Sequence, residues 1–434
     1  MARADYGAKL AAMAGDTLLP RLESDQARFV QQMALRYRFT FQDLRRVAQA
    51  ARDLAMWREE PLSTWWLRVE DQVSVATGRE RKKAMLNRLD RHLADLAAAE
   101  KVYPEGGPAV RKRRPIRLVE STGGDKVVGL CPAYSEHTVC CGLHTLDAVR
   151  GCPFSCSYCT IQTFYGDTAE LEVDLLQKLE SAPLDPGRRY HIGTGQASDS
   201  LVWGNRGGIL EALAKFAASH PNVLLELKTK SDNIGALANL DLPPNLVCSW
   251  TLNTDTIIRN EEAGAAALAN RLRAARKMAD LGVPVAFHFH PMVYYAGWDD
   301  DYVRLAQTLM NRFSPAEVLF ISMGTVTLIK PVVQEIRRRG EETRILQMQM
   351  VPDHHGKLTY PDAIKVELFQ SLYGAFSPWS GKVFFYLCME TAAIWRRVLG
   401  FAYPTNRAFE SDFLDRCLRS RASGRPDETS TAAV

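Results

Sequence analysis

The sequence predicts an α/β fold, a partial (β/α)6 TIM-type barrel preceded by an α-helical N-terminal extension. Three observations carry this. After Pro115, short apolar runs alternate with amphipathic helical stretches, a pattern that implies crossover connections and a parallel sheet. Before Pro115 the chain is rich in Ala, Arg and Leu, with apolar residues at mixed helical spacings. Three cysteines follow directly on the first predicted strand, and barrels gather their reactive groups at strand carboxyl ends.

Taken in order, residues 1–115 read as the helical extension. Phe29, Met33, Leu35 and Tyr37, then Phe41, Leu44, Val47 and Ala48, mark its apolar faces, and Pro61 with Trp65-Trp66 marks a break that packs on something larger. From Arg79 to Arg117 there are twelve Lys or Arg against five Asp or Glu, ending in Arg111-Lys112-Arg113-Arg114. Such a run can grip phosphates, or serve as a solvated helix face and linker. Residues 116–330 read as the barrel. Its strands are Thr145 to Val149, Tyr190 to Thr194, Val223 to Thr229, Leu246 to Leu252, Val283 to His288 and Val318 to Met323. The helices between them are Glu172 to Leu179, Gly208 to Ala218, Ala263 to Leu281 and Tyr302 to Phe313. Residues 331–419 complete the barrel with a loop at Pro352 to Gly356, a helix from Ala363 to Phe376, a late strand from Phe384 to Met389 and a helix from Ala392 to Leu399. The tail, 420–434, is small and polar and reads as disordered.

The 434 residues with 46% hydrophobic content suffice for one large core and a smaller appended unit. A net charge of +4 permits an anionic partner without demanding one. Arg3, Asp5, Lys9 and Asp16 interrupt the first residues, so no signal peptide is expected, and no apolar run suggests a membrane span. Nine cysteines in a chain of this size do not read as a disulfide framework, and the expected location is the reducing cytoplasm.

The organising stretch is Arg150-Gly151-Cys152-Pro153-Phe154-Ser155-Cys156-Ser157-Tyr158-Cys159. Its C-x3-C-x2-C spacing can place three thiolates on three irons of one [4Fe-4S] cube and leave the fourth iron without a protein ligand. An open iron can chelate S-adenosylmethionine and pass an electron to its sulfonium. The alternatives are three buried cysteines or a structural zinc knuckle, and zinc sites usually show paired C-x2-C halves with four ligands. The spacing resembles the signature of the radical SAM superfamily.

Further segments narrow the resemblance. Gly193-Thr194-Gly195-Gln196-Ala197-Ser198-Asp199-Ser200, Leu227-Lys228-Thr229-Lys230, Ser249-Trp250-Thr251-Leu252-Asn253, Pro284-Val285-Ala286-Phe287-His288-Phe289 and Tyr295-Ala296-Gly297-Trp298-Asp299-Asp300-Asp301-Tyr302 are similar to the spore photoproduct lyase-like branch, over about residues 128 to 405. The resemblance implies a barrel of the radical SAM type, with Cys152, Cys156 and Cys159 as cluster ligands. It also implies Tyr158 beside the cofactor's adenine, Ser198 as a polar contact and Lys230 meeting the methionine carboxylate. Thr251 and Asn253 would offer hydroxyl and amide groups to the ribose or amino acid. Read alone, Ser198-Asp199 is equally a helix cap, Lys230 a solvated cation and Thr251-Asn253 a turn. A low-potential electron donor of flavodoxin or ferredoxin type is a further implied partner.

Two departures bear on chemistry. The family's hydrogen-donating cysteine falls at Gln196, and a tyrosine of its radical relay falls at Thr160; neither side chain can replace the group expected there. Cys388, near the end of the late strand, is the candidate replacement hydrogen donor. Cys131, Cys140 and Cys141, with His137 and His144 nearby, read as metal ligands, a redox relay or packed small hydrophobes. Cys248 reads as core, and His288 and His290 share one strand face.

Three functions are compatible with these readings. The first is a radical SAM enzyme acting on damaged nucleic acid, with the lesion flipped out of its stack. The second keeps the chemistry and takes a peptide, RNA or small molecule. The third is a non-catalytic Fe-S or metal-binding adaptor. Oligomeric state is not readable from sequence.

Overall fold

A computed structural model describes residues 3–74, 78–107, 115–122 and 126–422. The run Arg111 to Arg114 and most of the predicted tail lie outside these residues; 420–422 form the last turn of the helix Asn406–Ala422.

The barrel is an open, curled sheet of eight strands whose spatial order is their sequence order. They are β1 (Val128–Leu130), β2 (His144–Leu146), β3 (Tyr190–Thr194), β4 (Val223–Thr229), β5 (Leu246–Thr251), β6 (Val285–Met292), β7 (Val318–Thr325) and β8 (Phe384–Leu387). β1 runs antiparallel to β2, and every later neighbour is parallel. Both faces of β3 to β5 are almost wholly buried, which is why they read as continuous apolar runs in sequence.

Register fixes which side chains share the interior. Lys228 lies beside Ser249, Ser249 beside Ala286, His288 beside Thr251 and Ser322, and Ser322 beside Tyr386. The open side is closed in two ways. Val139 N donates to Glu390 O at 2.9 Å, stitching the β1–β2 connection to the end of β8. The helix Asn406–Ala422 lays Phe413 against Phe320, Phe384 and Tyr386, with ring centroids 5.2, 5.4 and 5.7 Å away.

Four predicted elements are redrawn. The first strand stops at Leu146, and Val149–Arg150 joins a separate three-stranded sheet with Arg117–Ser121 and Thr168–Glu172. The stretch predicted as a helix from Glu172 therefore ends that strand first, and the helix spans Leu175–Glu180. The helix predicted from Ala263 begins at Leu268, because Glu262–Ala263 pairs with Ser155–Cys156 instead. β6 continues past His288 to Met292, since His288 is buried inside the barrel and the half-buried His290 lines its mouth, so neither imidazole ends the strand.

Among the described residues, five α-helices, Arg3–Ala14, Ser24–Tyr37, Phe41–Trp57, Leu62–Glu70 and Gly78–Ala98, form the extension. Pro61 caps the fourth, and Trp65 and Trp66 are buried behind it. The extension shares one continuous apolar core with the barrel. Polar ties reinforce it: Arg337 forks onto Asp53 at 2.8 and 2.7 Å, and Arg344 meets Glu59 at 2.9 Å. Among the described residues no helix is long and apolar enough to cross a membrane.

Candidate active site

The strand carboxyl ends surround a cavity of about 290 Å³. Cys152, Cys156, Cys159, Tyr158, Ser198, Lys230 and Thr251 all line it. Three backbone features hold the cysteine loop over this mouth. Ser155 and Cys156 pair with Ala263 and Glu262, Ser157 N donates to Glu261 O at 2.9 Å, and Gly151 N donates to Ala197 O at 2.9 Å. Gly151 sits at φ +96°, where a Cβ would lie 2.9 Å from Thr168 O, so only glycine permits this turn. Gly195, at φ +91°, would bring a Cβ to 2.5 Å from Lys228 O, so β3 and β4 can close together only because it has none.

Burial pushes the Cys156 thiol up to about 12 and raises Cys152 well above the ordinary thiol range. Lys230 works against this at Cys156, while Cys159 adds to it at both. Three thiols gathered at one cavity, where burial disfavours free thiolates, favour bonding to a cationic centre over standing as separate thiolates. Among the described residues no three His, Cys, Asp or Glu side chains could share one metal ion. That disfavours a zinc knuckle, whereas a cube takes each thiolate on a different iron. The donor set therefore fits a [4Fe-4S] cluster.

Around the thiols, Tyr158 donates to Glu262, whose carboxylate Arg271 grips at 2.5 Å in full burial. Burial opposes ionisation of Glu262, but Arg271 and Lys230 overcome it and hold its carboxyl below the usual range. The Tyr158 ring is thereby fixed, with Lys230 Nζ 5.8 Å from its centroid. Ser198 Oγ donates to Gly151 O at 2.7 Å and accepts Trp203 Nε1 at 2.9 Å, so its hydroxyl braces the loop that carries Cys152. Thr251 is buried on the wall, and its carbonyl accepts Arg271. Asn253 stands apart. It does not line the cavity, and its amide is bound up with Pro291 O at 2.8 Å and Tyr302 Oη at 2.7 Å.

Residues that the sequence reading passed over also appear here. Asp199 is buried on the wall and accepts Lys230 N at 2.6 Å and Thr229 Oγ1 at 2.8 Å, locking the end of β4 to that of β3. Lys228 shares the inner face with Glu226 and Lys230; the period-two spacing of the three was the available signal. Gln196, Thr160 and His290, which the sequence did single out, also line the cavity.

Cys388 follows β8 and donates its N–H to Met323 O at 2.8 Å. Two residues beyond Tyr386, it continues the inward face of that strand, but it is its neighbour Met389, and not Cys388, that forms part of the cavity wall. Burial pushes its thiol up to about 12, so it is held as S–H. Cys131 and Cys140 lie close enough to influence it electrostatically. Cys248 is fully buried core.

Below the cavity lies a closed polar layer. Glu226 receives His191 Nε2 at 2.8 Å, and it is also bonded to His288 and Ser249. Burial disfavours its charge, yet His288 and His191 hold its carboxyl well below the usual range. Burial, with help from Lys228, lowers His288 to about 4. The pair His288 and His290 shares one face, as its spacing predicts, bridged by Ser322.

A family model described as spore photoproduct lyase matches residues 143–349. The spore photoproduct lyase of Geobacillus sp. (strain Y412MC61) is 22% identical over 212 residues, covering 46% of this chain and 62% of the relative. That of Bacillus subtilis (strain 168) is 23% identical, covering 38% and 50%. The chain thus spans less than two thirds of the length of these curated relatives. Among solved structures, a spore photoproduct lyase variant with bound AdoMet and dinucleoside spore photoproduct superposes with a TM-score of 0.52 at 19% identity, covering 62% of this chain and 82% of that one. A cysteine-to-alanine variant with dinucleoside spore photoproduct gives 0.53 at 20% identity, with the same coverage. These structural matches establish a shared fold.

Proposed function

Starting from a barrel that is spore photoproduct lyase-like over residues 143–349, we propose that this chain is a radical SAM enzyme. The observation that carries the reading is the single cavity whose wall includes Cys152, Cys156 and Cys159 together with Tyr158, Lys230 and Thr251. The three thiolates would hold a [4Fe-4S] cluster, which with S-adenosylmethionine bound would supply one-electron, radical-forming chemistry at this mouth.

The protein's own groups bind and orient. Tyr158 offers a fixed aromatic face to a flat base, and Lys230 an ammonium to a carboxylate. Thr251 presents a hydroxyl at the wall. Ser198 acts through Gly151 on the cysteine loop, and Asn253 through Pro291 and Tyr302 on the end of β6. Cys388 donates a hydrogen atom to the substrate-derived radical: its S–H bond breaks, the product gains C–H, and the thiyl left behind is restored by one electron and one proton. A reductant of flavodoxin or ferredoxin type supplies the electron.

Damaged nucleic acid is the substrate class favoured by the neighbours that carry dinucleoside spore photoproduct. A base inside a duplex cannot reach a barrel interior, so the lesion must be unstacked. A peptide, RNA or small-molecule substrate is favoured by one specific feature, the amide of Gln196 on the wall where the family's thiol is expected. Binding to lesion-bearing and undamaged DNA across a salt series separates the two, because phosphate contacts impose a salt slope.

The deciding experiment is anaerobic reconstitution followed by dithionite and S-adenosylmethionine. The proposal expects 5'-deoxyadenosine. A fully loaded protein that forms none is an adaptor and not an enzyme.

A further inference from the structure

Three polar side chains on the cavity wall, Lys228, Gln196 and His290, carry groups that no described residue satisfies. The Lys228 ammonium has neither an ion pair nor a hydrogen bond among the described residues, and the Gln196 amide has no hydrogen bond among them. His290 places Nε2 3.1 Å from Ser322 Oγ and leaves Nδ1 open. The layer below differs, since Glu226, Ser249, His288 and Ser322 are bonded to one another or to His191.

Lys228 is fixed through its backbone. Ser200 N and Oγ donate to its carbonyl at 3.3 and 2.7 Å, and Gly195, having no Cβ, lets the end of β3 lie against its stem. The groups that face the ammonium do not neutralise it. On β6, His288 and His290 are kept uncharged by burial and then by Lys228 itself. At the seam of β1 and β8, burial pushes the Cys131 and Cys388 thiols up, so both stay S–H, and Lys230 adds a like charge on the same wall. The two nearby carboxylates are occupied: Glu226 by His191, His288 and Ser249, and Asp199 by Thr229 and the N–H groups of Leu201, Val202 and Lys230.

An ammonium and an amide without internal acceptors, on the wall of a cavity partly shut off from water, form a receptor for negatively charged oxygen. We propose that Lys228, with Gln196 beside it, binds a terminal oxyanion of the substrate, a carboxylate or a phosphate monoester. Depth makes the group terminal. Lys228 lies two residues further into the barrel along β4 than Lys230, about 6–7 Å. The cavity, about 290 Å³, is at the small end of ligand pockets, and in the proposed function it also takes S-adenosylmethionine. A phosphodiester inside a strand carries a nucleoside on each side and cannot end at that depth, whereas a carboxylate or a terminal phosphate can. The inference deepens the proposed function, rests on its placing the reaction in this cavity, and favours a substrate that ends there over a strand that runs past.

The test is binding to the full chain as purified, with no S-adenosylmethionine or reductant, so its failure and a failure to form 5'-deoxyadenosine are separate results. Protein carrying a carbon isotope label at lysine Cε is titrated by NMR with propionate, methyl phosphate, propionamide and the dinucleotide TpT, whose phosphate lies between two nucleosides. The Lys228 resonance, identified by its absence in Lys228→Arg, should move with propionate or methyl phosphate, and the tighter of the two assigns the source. Propionamide and TpT should leave it in place. Lys228→Met should weaken the better anion at least about tenfold, the size of a lost charge-assisted hydrogen bond. It should melt no lower than the wild type, because the ammonium it removes has no partner to lose. A resonance that neither anion moves, one that propionamide or TpT moves as well, or a weakening below about tenfold overturns the inference. So does a loss of binding accompanied by a lower melting point, since Lys228 then holds the fold. The wild-type titration decides even if Lys228→Met fails to fold.

Discussion

The interior of the barrel treats similar residues in opposite ways at its two levels. In the lower layer Glu226, His191, His288, Ser249 and Ser322 are linked by hydrogen bonds to one another, with only His191 Nδ1 left without a partner among them, and are sealed from below by Phe320 and Phe413. In the upper layer Lys228, Lys230, Gln196, Thr251 and His290 face a cavity, and the fixed groups around them, Asp199, Ser198 and Glu262, are spent on holding backbone or Tyr158 in place. Both layers come from the same strands at a spacing of two residues. The difference teaches where stability ends and binding begins: one turn of the pleat further along each strand, partners inside the protein give way to partners from outside.

The comparison breaks most sharply at the cysteines. Cys156→Ala is expected to abolish iron-sulfur absorbance and deoxyadenosine formation while leaving thermal stability within a few kcal/mol of wild type, since the position loses one buried sulfur. Glu226→Ala should do the reverse. Removing the carboxylate leaves two buried imidazoles without their acceptor, a loss of about 3–5 kcal/mol read as a lower denaturant midpoint. If iron binding and stability fall together in both variants, the two levels are not separate.

Acid should find the lower layer first. His288 titrates at about 4 when folded against an unfolded value of 6.5, so the unfolded chain binds more protons between those values. The Glu226 carboxyl, also depressed, acts in the same sense. The stabilisation is complete above about pH 6.5 and is lost as pH falls towards 4, by a few kcal/mol at most. Denaturant midpoints against pH measure it, and His288→Gln should flatten the slope.

How far the sequence revealed this follows from the same contrast. β3, β4 and β5 were legible because burial on both faces writes continuous apolar runs. β1 and Arg117–Ser121 were not, being short and partly exposed, with no periodic signal to separate them from loops. The cysteines, Tyr158, Lys230 and Thr251 were legible from motif and strand-end position, and they do gather at one cavity. The ion pair of Lys365 with Glu390 was invisible, because the two come together only when the helix Asp362–Ala375 packs beside β8. The role of Glu262 was likewise hidden, because it lies just before what read as a helix from Ala263 and instead pairs with Cys156.

The smallest expected effect concerns a third contrast, between the extension and the cysteine loop. Tyr103, just after the last helix of the extension, donates to Glu261 Oε1 at 2.9 Å. The same carboxylate accepts Thr343 Oγ1 at 2.7 Å and Arg344 N at 3.1 Å and is bonded to Ser157, while its backbone oxygen holds Ser157 N. Tyr103→Phe removes one donor and keeps the ring that packs on Tyr295, so global stability should fall by only about 1 kcal/mol. Hydrogen exchange at the Ser157 amide then discriminates. Faster exchange there, beyond what the global loss explains, means that the extension braces the loop through Glu261. Exchange that tracks global stability alone means that Glu261 holds the loop by its remaining bonds, and that the extension contributes packing and nothing to the site.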